Sequence, residues 1–438
     1  MNVIGIILAI LILGILIIVH EFGHFVLAKK NGIFVKEFSI GFGPRIVSHT
    51  GKSGTKFSWK VIPFGGSCEM LGEYETEEDE EDDDRSFDSK SVWARMSVVL
   101  AGPVFNFLLA FILAVICIGT MGYDPPVVTS VNAGSPAYEA GIEEGDLIVK
   151  FDGKNVNFGR EIYLENIIHP FDADTGEIEV VYMHNGEKKT ALIAPQAYDY
   201  YIIGISYYAD NNPAKLADVQ KDSPVALAGL EEGDIITEIN GMPIATGAEL
   251  SDYFSKHDTD GTPVSIKYTR RGGEFETTVQ PVLTTVYKLG FGYNLANQKT
   301  NALGVIKYSF CELGYQISSV FKSIGYMFSG KGSLDMLAGP VGIVEIIGET
   351  YDASVSSGFL VTLINLLSLM LMLSANLGIV NLFPIPALDG GKFLLLIIEA
   401  IRRKPMPKKY EGIITVIGAA LLVLLMLVIF VNDILRLF

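Results

Sequence analysis

The chain has 438 residues, of which 49% are hydrophobic, and its mean hydropathy is +0.37. This composition excludes an ordinary soluble enzyme and indicates a polytopic membrane protein with soluble insertions. The net charge of -17 excludes a nucleic-acid-binding protein, because such a protein needs a basic face to meet phosphates. Three widely separated cysteines form no CxxC pair, so we expect neither a disulfide framework nor a cysteine zinc site.

Four stretches are apolar and long enough to cross a bilayer, which requires about 20 residues. They lie at roughly 3–27, 98–120, 359–383 and 412–431. The first is predicted to be a retained helix, because no basic residues precede it and no small-residue cleavage site follows it. The predicted fold class is therefore a polytopic α-helical membrane protein with four transmembrane helices.

Basic residues beside the membrane predict the orientation of these helices. They cluster after helix 1 and between helices 3 and 4, as Lys29, Lys30, Lys36, Arg45, Lys392, Arg402, Arg403, Lys404, Lys408 and Lys409. Both loops are therefore expected on the cytoplasmic side. Both termini and the long insertion at about 121–357 are expected on the other side.

The end of the first apolar stretch reads His20-Glu21-Phe22-Gly23-His24. On a helix, a spacing of four residues places both imidazoles on one face, where they can share a zinc ion. Glu21 is then placed to take a proton from a water molecule on that zinc, as a catalytic base. Ionisable groups within a membrane helix are costly to bury without a function, which favours this interpretation over a chance HExxH string.

A catalytic zinc site needs a third protein ligand, and Asp389 is the candidate. It lies in Asn381-Leu382-Phe383-Pro384-Ile385-Pro386-Ala387-Leu388-Asp389-Gly390-Gly391, at the cytoplasmic end of helix 3. Pro384 and Pro386 prevent a regular helix, and irregular backbone at membrane depth is expected only around a cavity. The alternative for Asp389 is a helix N-cap.

Asn376 and Asn381 are polar residues within the apolar third helix. Each is a candidate for binding the substrate backbone or stabilising an oxyanion. The alternative is that they join neighbouring helices by hydrogen bonds. With Pro384 and Pro386, they make up the predicted substrate-binding set.

The insertion contains an internal repeat of fourteen residues: Ser135–Ile148 recurs 88 residues later as Ser223–Ile236, with nine identical positions. The motif resembles that of PDZ domains in bacterial periplasmic proteases. The resemblance implies PDZ-like α+β domains at about 122–200 and 201–287, which capture extended peptides beside a sheet edge. Ile203-Gly204-Ile205 is similar to the loop that receives a peptide carboxylate. A spacer or size filter is the alternative role.

Two further segments are less specific. Residues 300–330 show helical apolar spacing and predict an amphipathic helix, either on the membrane face or simply packed against other helices, within a membrane-adjacent segment at 300–357. The acidic run Glu73–Asp84 is expected to be a solvated loop and not a cation site.

The whole chain resembles the site-2 protease family of intramembrane zinc metalloproteases, in its RseP-like bacterial branch. HEFGH in segment 1–120, the PDZ-like repeat and NLFPIPALDGG in segment 358–438 carry this resemblance. It implies that His20, His24 and Asp389 bind Zn²⁺, that Glu21 is the base and that Asn381 contacts substrate. It also implies a membrane-associated β-hairpin at about 34–64, with Lys56–Val61 as an edge strand.

The resemblance implies an endopeptidase of the bacterial inner membrane, active near the cytoplasmic face in regulated intramembrane proteolysis. Its partners would be single-pass membrane substrates, such as anti-sigma factors and signal-peptide remnants, and an upstream site-1 protease. The PDZ domains would gate access from the other side. A metal transporter and a catalytically silent PDZ adaptor remain as alternatives.

Overall fold

The computed structural model describes residues 3–73, 83–209, 211–257, 259–330, 338–404 and 406–436. Most of the acidic run at 73–84, which is predicted to be a solvated loop, lies outside these residues. The chain divides into two compact units. The first contains Met1–Pro125 and Ala296–Phe438, and the second contains Pro126–Leu295.

Helices dominate the first unit, and short strands dominate the second. The first unit begins with α1 (Val3–Lys30), β1 (Val35–Thr50), β2 (Lys56–Met70) and α2 (Val92–Met121). The second unit contains β3 (Val128–Val131), α3 (Pro136–Glu139), β4 (Leu147–Phe151), β5 (Lys154–Asn155), α4 (Gly159–Ile168), β6 (Ile178–His184), β7 (Glu187–Ile193), β8 (Gln196–Ile202), β9 (Ile205–Tyr207), β10 (Leu216–Val219), α5 (Pro224–Leu227), β11 (Ile235–Ile239), β12 (Met242–Pro243), α6 (Gly247–Lys256), β13 (Val264–Arg270), β14 (Gly273–Val279), β15 (Val282–Lys288) and β16 (Phe291–Tyr293). The first unit resumes with α7 (Ala302–Phe328), α8 (Pro340–Val355), α9 (Phe359–Asn381), α10 (Asp389–Arg402) and α11 (Lys408–Arg436).

Within the described residues, four helices are long and apolar enough to cross a membrane: Val3–Lys30, Val92–Met121, Phe359–Asn381 and Tyr410–Leu435. They coincide with the four predicted stretches, which confirms a membrane protein with four candidate spans. Small residues allow α1, α2 and α9 to approach closely: Ala9, Ala110, Ala114 and Ala375 lie in one buried cluster. Close backbone approach through small residues is the usual basis of helix packing in membranes.

The hairpin of β1 and β2 consists of four short segments. Residues 66–70 pair with residues 35–40, and residues 56–60 pair with residues 45–50, both in antiparallel register. Residues 37–40 also pair with residues 56–59. The residue numbers of the two segments increase in the same direction along this pairing, so these segments run parallel. Gly41 and Gly43 have φ values of 85° and 89°, where β1 bends between its two halves.

This pairing makes one expectation wrong. Lys56–Val61 is not the edge strand, because Lys56 to Trp59 have partners on both sides. Among the described residues, the two edges are formed by 66–70 and 45–50. The bend of β1 inserts the start of β2 between the two halves of β1, an arrangement that strand propensity alone does not specify.

Helix α7 packs along α2 and α9 instead of lying away from them. Tyr308 stacks on Tyr123, just beyond the end of α2, with ring centroids 3.7 Å apart. Near its other end, Phe321 contacts Phe383, just beyond the end of α9, at 6.2 Å. With 27 residues, α7 is about 40 Å long, enough to follow α9 over its whole length.

The two faces of α7 are reversed relative to a helix in a soluble protein. Its buried side carries Ser309, Glu312 and Gln316, and Gln316 Nε2 donates a 2.8 Å hydrogen bond to Glu312 Oε1. Large apolar side chains, including Phe310 and Phe321, are exposed. The predicted amphipathic helix is therefore present, with its polar side packed inward and its large apolar side chains turned outward.

The second unit contains two α+β modules with separate cores. Their four-stranded sheets have the orders β5-β4-β6-β7 in module 1 and β12-β11-β13-β14 in module 2. The module-1 core includes Leu289, with Phe291 and Tyr293 packed against it, because β16 pairs with β3. The sequence places module 1 at about 122–200, yet this core also uses residues from beyond module 2. Strands β8 and β15, which lead into and out of module 2, pair along seven residues as a ribbon.

The repeated motif has the same structural role in both modules. Ser135 and Ser223 cap the short helices α3 and α5 by accepting hydrogen bonds from Tyr138 N–H and Ala226 N–H. Asp146 and Asp234 accept backbone hydrogen bonds from Glu143 and Glu231, which fixes the turn before the next strand. The identical residues are therefore explained by local folding.

Candidate active site

His20 and His24 lie on one face of α1, near its end. Their Nε2 atoms are 3.2 Å apart and both side chains are buried. Gly102 of α2 lies against them: a Cβ at this position would be 2.4 Å from His24 Nε2 and 2.7 Å from His20 Nε2. The lack of a side chain at Gly102 therefore allows α2 to cover both imidazoles.

Asp389 approaches the histidines from the start of α10. Its Oδ2 lies 3.0 Å from His20 Nε2 and 3.4 Å from His24 Nε2. The N-cap of α10 is Leu388, so the N-cap alternative for Asp389 does not apply. The preceding loop turns sharply, with Ala387 at a φ of 77°, a strained value for a residue with a side chain.

The three ligand atoms fit a zinc ion. His20 Nε2, His24 Nε2 and Asp389 Oδ2 form a triangle with sides of 3.0, 3.2 and 3.4 Å. Ligand atoms about 2.0–2.1 Å from a tetrahedral zinc lie roughly 3.3 Å apart. Within the described part of the chain, Asp389 Oδ2 is buried and has no hydrogen-bond donor. Two nitrogen donors and an unsatisfied carboxylate oxygen therefore converge where a cation would satisfy all three.

The Nδ1 atoms of both histidines contact polar groups of α2. His24 Nδ1 lies 2.9 Å from Val98 O, so it donates its proton there and its Nε2 carries the lone pair. His20 Nδ1 lies 3.1 Å from the side-chain nitrogen of Asn106. Asn106 was not among the site residues predicted from the sequence. It is separated from His20 by 86 positions, so the contact cannot be read from local spacing.

Glu21 lies beside the ligand triangle and next to the hairpin. A Cβ at Gly66 would be 3.3 Å from Glu21 Cγ, so the strand passes close to this side chain. The edge segment 66–70 therefore lies directly beside the predicted base, a position that the sequence did not reveal.

A cleft of about 1250 Å³ contains the ligand triangle. Seven of the residues predicted from the sequence line it: His20, Glu21, His24, Asn381, Pro384, Pro386 and Asp389. Residues 66–70 line its other side. Asn376 is not among the lining residues, and its buried Oδ1 has no hydrogen-bond partner within the described part of the chain.

Comparison with known proteins identifies the family of this chain. The sequence matches peptidase family M50 over residues 8–425. The "Regulator of sigma E protease" of Haemophilus influenzae is 34% identical over 454 residues, which cover 98% of each chain. A "Putative zinc metalloprotease" of Clostridium acetobutylicum is 30% identical, over 99% of this chain and 98% of that protein.

A third relative is the "Zinc metalloprotease RasP" of Geobacillus kaustophilus, 30% identical over 98% of this chain and 97% of that protein. Among solved structures, the HtrA3 PDZ domain bound to a phage-derived ligand matches with 19% identity and a TM-score of 0.18. That match covers 21% of this chain and 93% of that one, and its score is too low to support an argument.

The chain belongs to peptidase family M50, since the family match spans nearly its whole length. It is an intramembrane zinc metalloprotease of the site-2 type.

Proposed function

We propose that this protein cuts single-pass membrane proteins within or near their transmembrane helix, with His20, His24 and Asp389 as zinc ligands and Glu21 as the base. The observation that carries the proposal is the triangle of ligand atoms, with Glu21 beside it, in a cleft bounded by an unpaired strand edge. These groups lie in the unit that contains the four candidate membrane helices.

The residues divide the chemistry between them. Zinc held by His20, His24 and Asp389 would polarise a water molecule and a peptide carbonyl. Glu21 takes the proton of the attacking water and later returns it to the leaving amine. Asn381 lines the cleft and would donate a hydrogen bond to the carbonyl oxygen.

The strand edge solves a problem of substrate access. A transmembrane helix satisfies its backbone groups internally, so a protease cannot bind its backbone until it unwinds. Residues 66–70 offer unpaired backbone groups on the cleft side, and an unwound substrate can pair with them as an added strand. Pro384 and Pro386 form the opposite wall and lack backbone donors that would compete for the substrate. Asn376 remains a substrate-binding candidate farther along α9.

The two modules of the second unit are proposed to be PDZ domains on the extracytoplasmic side. They would exclude substrates that still carry a bulky domain, or read the C-terminus left by a first protease. Support comes from two matching loops, Ile203-Gly204 and Leu289-Gly290, which pack on Val225 and Ala137 through 3.0 Å backbone hydrogen bonds.

Each loop has the chemistry of a carboxylate site. Among the described residues, the backbone amides at 203, 204, 289 and 290 have no hydrogen-bond acceptor. Gly204 and Gly290 have φ values of 80° and 90°, and successive amides in such a turn form an anion-binding concavity. A Cβ at Gly290 would also lie 2.2 Å from Ser135 Cβ, so this loop requires glycine.

The orientation follows the distribution of basic residues. Both termini and the second unit would be extracytoplasmic, and the cleft would face the cytoplasmic half of a bacterial inner membrane. The name of one relative, Regulator of sigma E protease, favours proteins that control a sigma factor as substrates, and we propose anti-sigma factors. Cleavage would follow a first cut by a site-1 protease. Signal-peptide remnants are the second proposed substrate class.

The test uses the purified full chain and a transmembrane reporter. Glu21→Gln should keep one zinc per chain and lose cleavage by at least about 100-fold, because general-base catalysis contributes about 10²–10⁴-fold. Asp389→Ala should lose zinc. Wild-type cleavage should stop with EDTA and recover with added zinc. Cleavage by Glu21→Gln at the wild-type rate would exclude Glu21 as the base, and unchanged zinc in Asp389→Ala would exclude Asp389 as a ligand.

A further inference from the structure

Asn106 is a residue of α2 whose side chain contacts a predicted zinc ligand, His20. The contact is made to Nδ1, the imidazole nitrogen that does not face the ligand triangle. It is fully buried, and its amide nitrogen lies 3.1 Å from His20 Nδ1. The equivalent nitrogen of His24 contacts a main-chain carbonyl, Val98 O, at 2.9 Å. One histidine is therefore oriented by the backbone, whereas the other depends on a side chain that substitution can remove.

Asn106 is itself held in place by α9. Ser374 Oγ donates a 2.8 Å hydrogen bond to the main-chain carbonyl of Asn106, and both residues are fully buried. The Asn106 backbone is thus fixed between the helix that carries the histidines and the helix that leads to Asp389. Its side chain has little freedom to leave His20.

The amide has two orientations related by a 180° rotation about Cβ–Cγ. In the present one Nδ2 faces His20, and the buried Oδ1 has no hydrogen-bond partner within the described residues. Rotation places Oδ1 against His20 Nδ1, where it accepts the Nδ1–H. No hydrogen bond to Oδ1 opposes this rotation, and His20 with a proton on Nδ1 has its lone pair on Nε2.

We propose that Asn106 is a positioning residue that holds His20 in the tautomer whose Nε2 lone pair faces the ligand triangle. This inference rests on the proposed ligand set of His20, His24 and Asp389. Without Asn106, a buried Nδ1–H would lose its acceptor, and the imidazole would lose both its fixed tautomer and its fixed rotation. Such supports of a metal ligand typically contribute about 10–100-fold to metal affinity.

The test measures zinc affinity by competition with a chromogenic chelator in detergent-solubilised full-length protein. Asn106→Leu, which has a similar size but no acceptor, should weaken zinc binding by about 10–100-fold. Asn106→Asp should stay within about threefold of wild type, because a carboxylate also accepts the Nδ1–H. Ser368→Ala is the matched control: it removes a partly buried hydrogen bond between α9 and Cys117 of α2, away from His20.

His20→Ala separates this inference from the proposed function. If His20→Ala binds zinc as tightly as wild type, the proposed ligand set is wrong. If His20→Ala loses zinc but Asn106→Leu keeps wild-type affinity, only the positioning role is wrong. If Asn106→Leu does not fold, Asn106→Ser is used, because its hydroxyl is too short to reach Nδ1 and it should weaken zinc binding like Asn106→Leu. Wild-type affinity in Asn106→Ser would overturn the inference.

Discussion

At the residue scale, Gly102 shows how closely α2 covers the two histidines. Substitution of Gly102 by Ala would place a methyl group 2.4 Å from His24 Nε2, a separation that requires an imidazole or α2 to move. Either movement breaks the ligand triangle. We expect Gly102→Ala to reduce zinc affinity by at least about tenfold and cleavage in proportion, measured by chelator competition and reporter cleavage.

Gly119→Ala provides the control for Gly102. It lies in the same helix, and a Cβ there meets only Val305 Cγ1 at 3.9 Å, an ordinary contact. Alanine also favours a helix more than glycine does, so stability should be equal or slightly higher. Equal zinc affinity in the two variants would contradict the close approach at Gly102.

Glu37 is a buried carboxylate that joins three segments of the hairpin. Arg45 Nε and Ser58 Oγ donate to it at 2.7 and 2.5 Å, and Lys60 Nζ lies 3.4 Å away. The hydrogen bond from Arg45, opposed by burial and supported by Ser58 and Lys60, lowers the pKa of the Glu37 carboxyl from 4.5 to about 2. The ionised carboxylate therefore stabilises the folded hairpin.

The sign of this shift predicts a pH dependence. A lowered pKa gives stability that is fully present above about 4.5 and is lost as pH falls towards about 2. Hydrogen-exchange protection of residues 56–60 should therefore decrease between these pH values. Glu37→Gln should show lower protection with less dependence on pH, and identical wild-type and variant pH profiles would contradict the role of Glu37.

At the element scale, the sequence predicted the features that depend on local spacing. The pair His20 and His24 is specified by one helix period, and the irregular segment at 382–388 by its two prolines. The edge strand of the hairpin was predicted wrongly. Which segment lies at the edge depends on how β2 pairs with the two halves of β1 after β1 bends, and local spacing does not specify this pairing. Asn106 was missed for a similar reason: its partner is in another helix.

Helix α7 shows that amphipathic spacing does not reveal which face packs against other helices. The sequence contains both a polar row, Ser309, Glu312 and Gln316, and a set of large apolar residues. In water the apolar face would be buried, whereas beside other membrane helices the polar face is the one that gains partners. The environment of the helix, not its period, determines the orientation.

This orientation of α7 can be measured with nitroxide spin labels. Labels at Phe310 and Phe321, which are exposed, should be accessible to oxygen and protected from a water-soluble nickel reagent. Labels at Ser309 and Gln316, which are buried, should be less accessible to both. Leu424 of α11 is the reference for a lipid-exposed position. High nickel accessibility at Phe310 would contradict a lipid-facing side.

At the scale of the whole molecule, module 2 is inserted into the sequence of module 1, so the two modules are interleaved along the chain and not consecutive. Module 1 obtains β16 and the loop Leu289-Gly290 from chain that follows module 2. Its sheet β5-β4-β6-β7 is complete by residue 193, but part of its core is not. Boundaries drawn from the repeat alone cannot show this, because the two copies of the motif lie within the modules.

Fragments of the second unit test this arrangement. A fragment of residues 126–200 lacks Leu289, Phe291 and Tyr293 and should be unfolded or strongly destabilised. Full burial of a side chain such as Leu289 contributes about 1.5–3 kcal/mol, and the two partly buried aromatic rings add to this. A fragment of residues 126–295 should unfold cooperatively. Circular dichroism and thermal unfolding distinguish them, and a cooperative transition in 126–200 near that of the longer fragment would contradict the interleaving.

The interleaving also determines the order in which the two modules can complete their folding during synthesis. As the polypeptide emerges from the N-terminus, module 2 has all of its strands by residue 279, whereas the last strand of module 1 appears only at residues 291–293. The earlier module in the gene is thus the later one to mature. During this interval, the unpaired edge of β3 is open to other extended chains, so the nascent protein is most vulnerable to mispairing before synthesis passes residue 293.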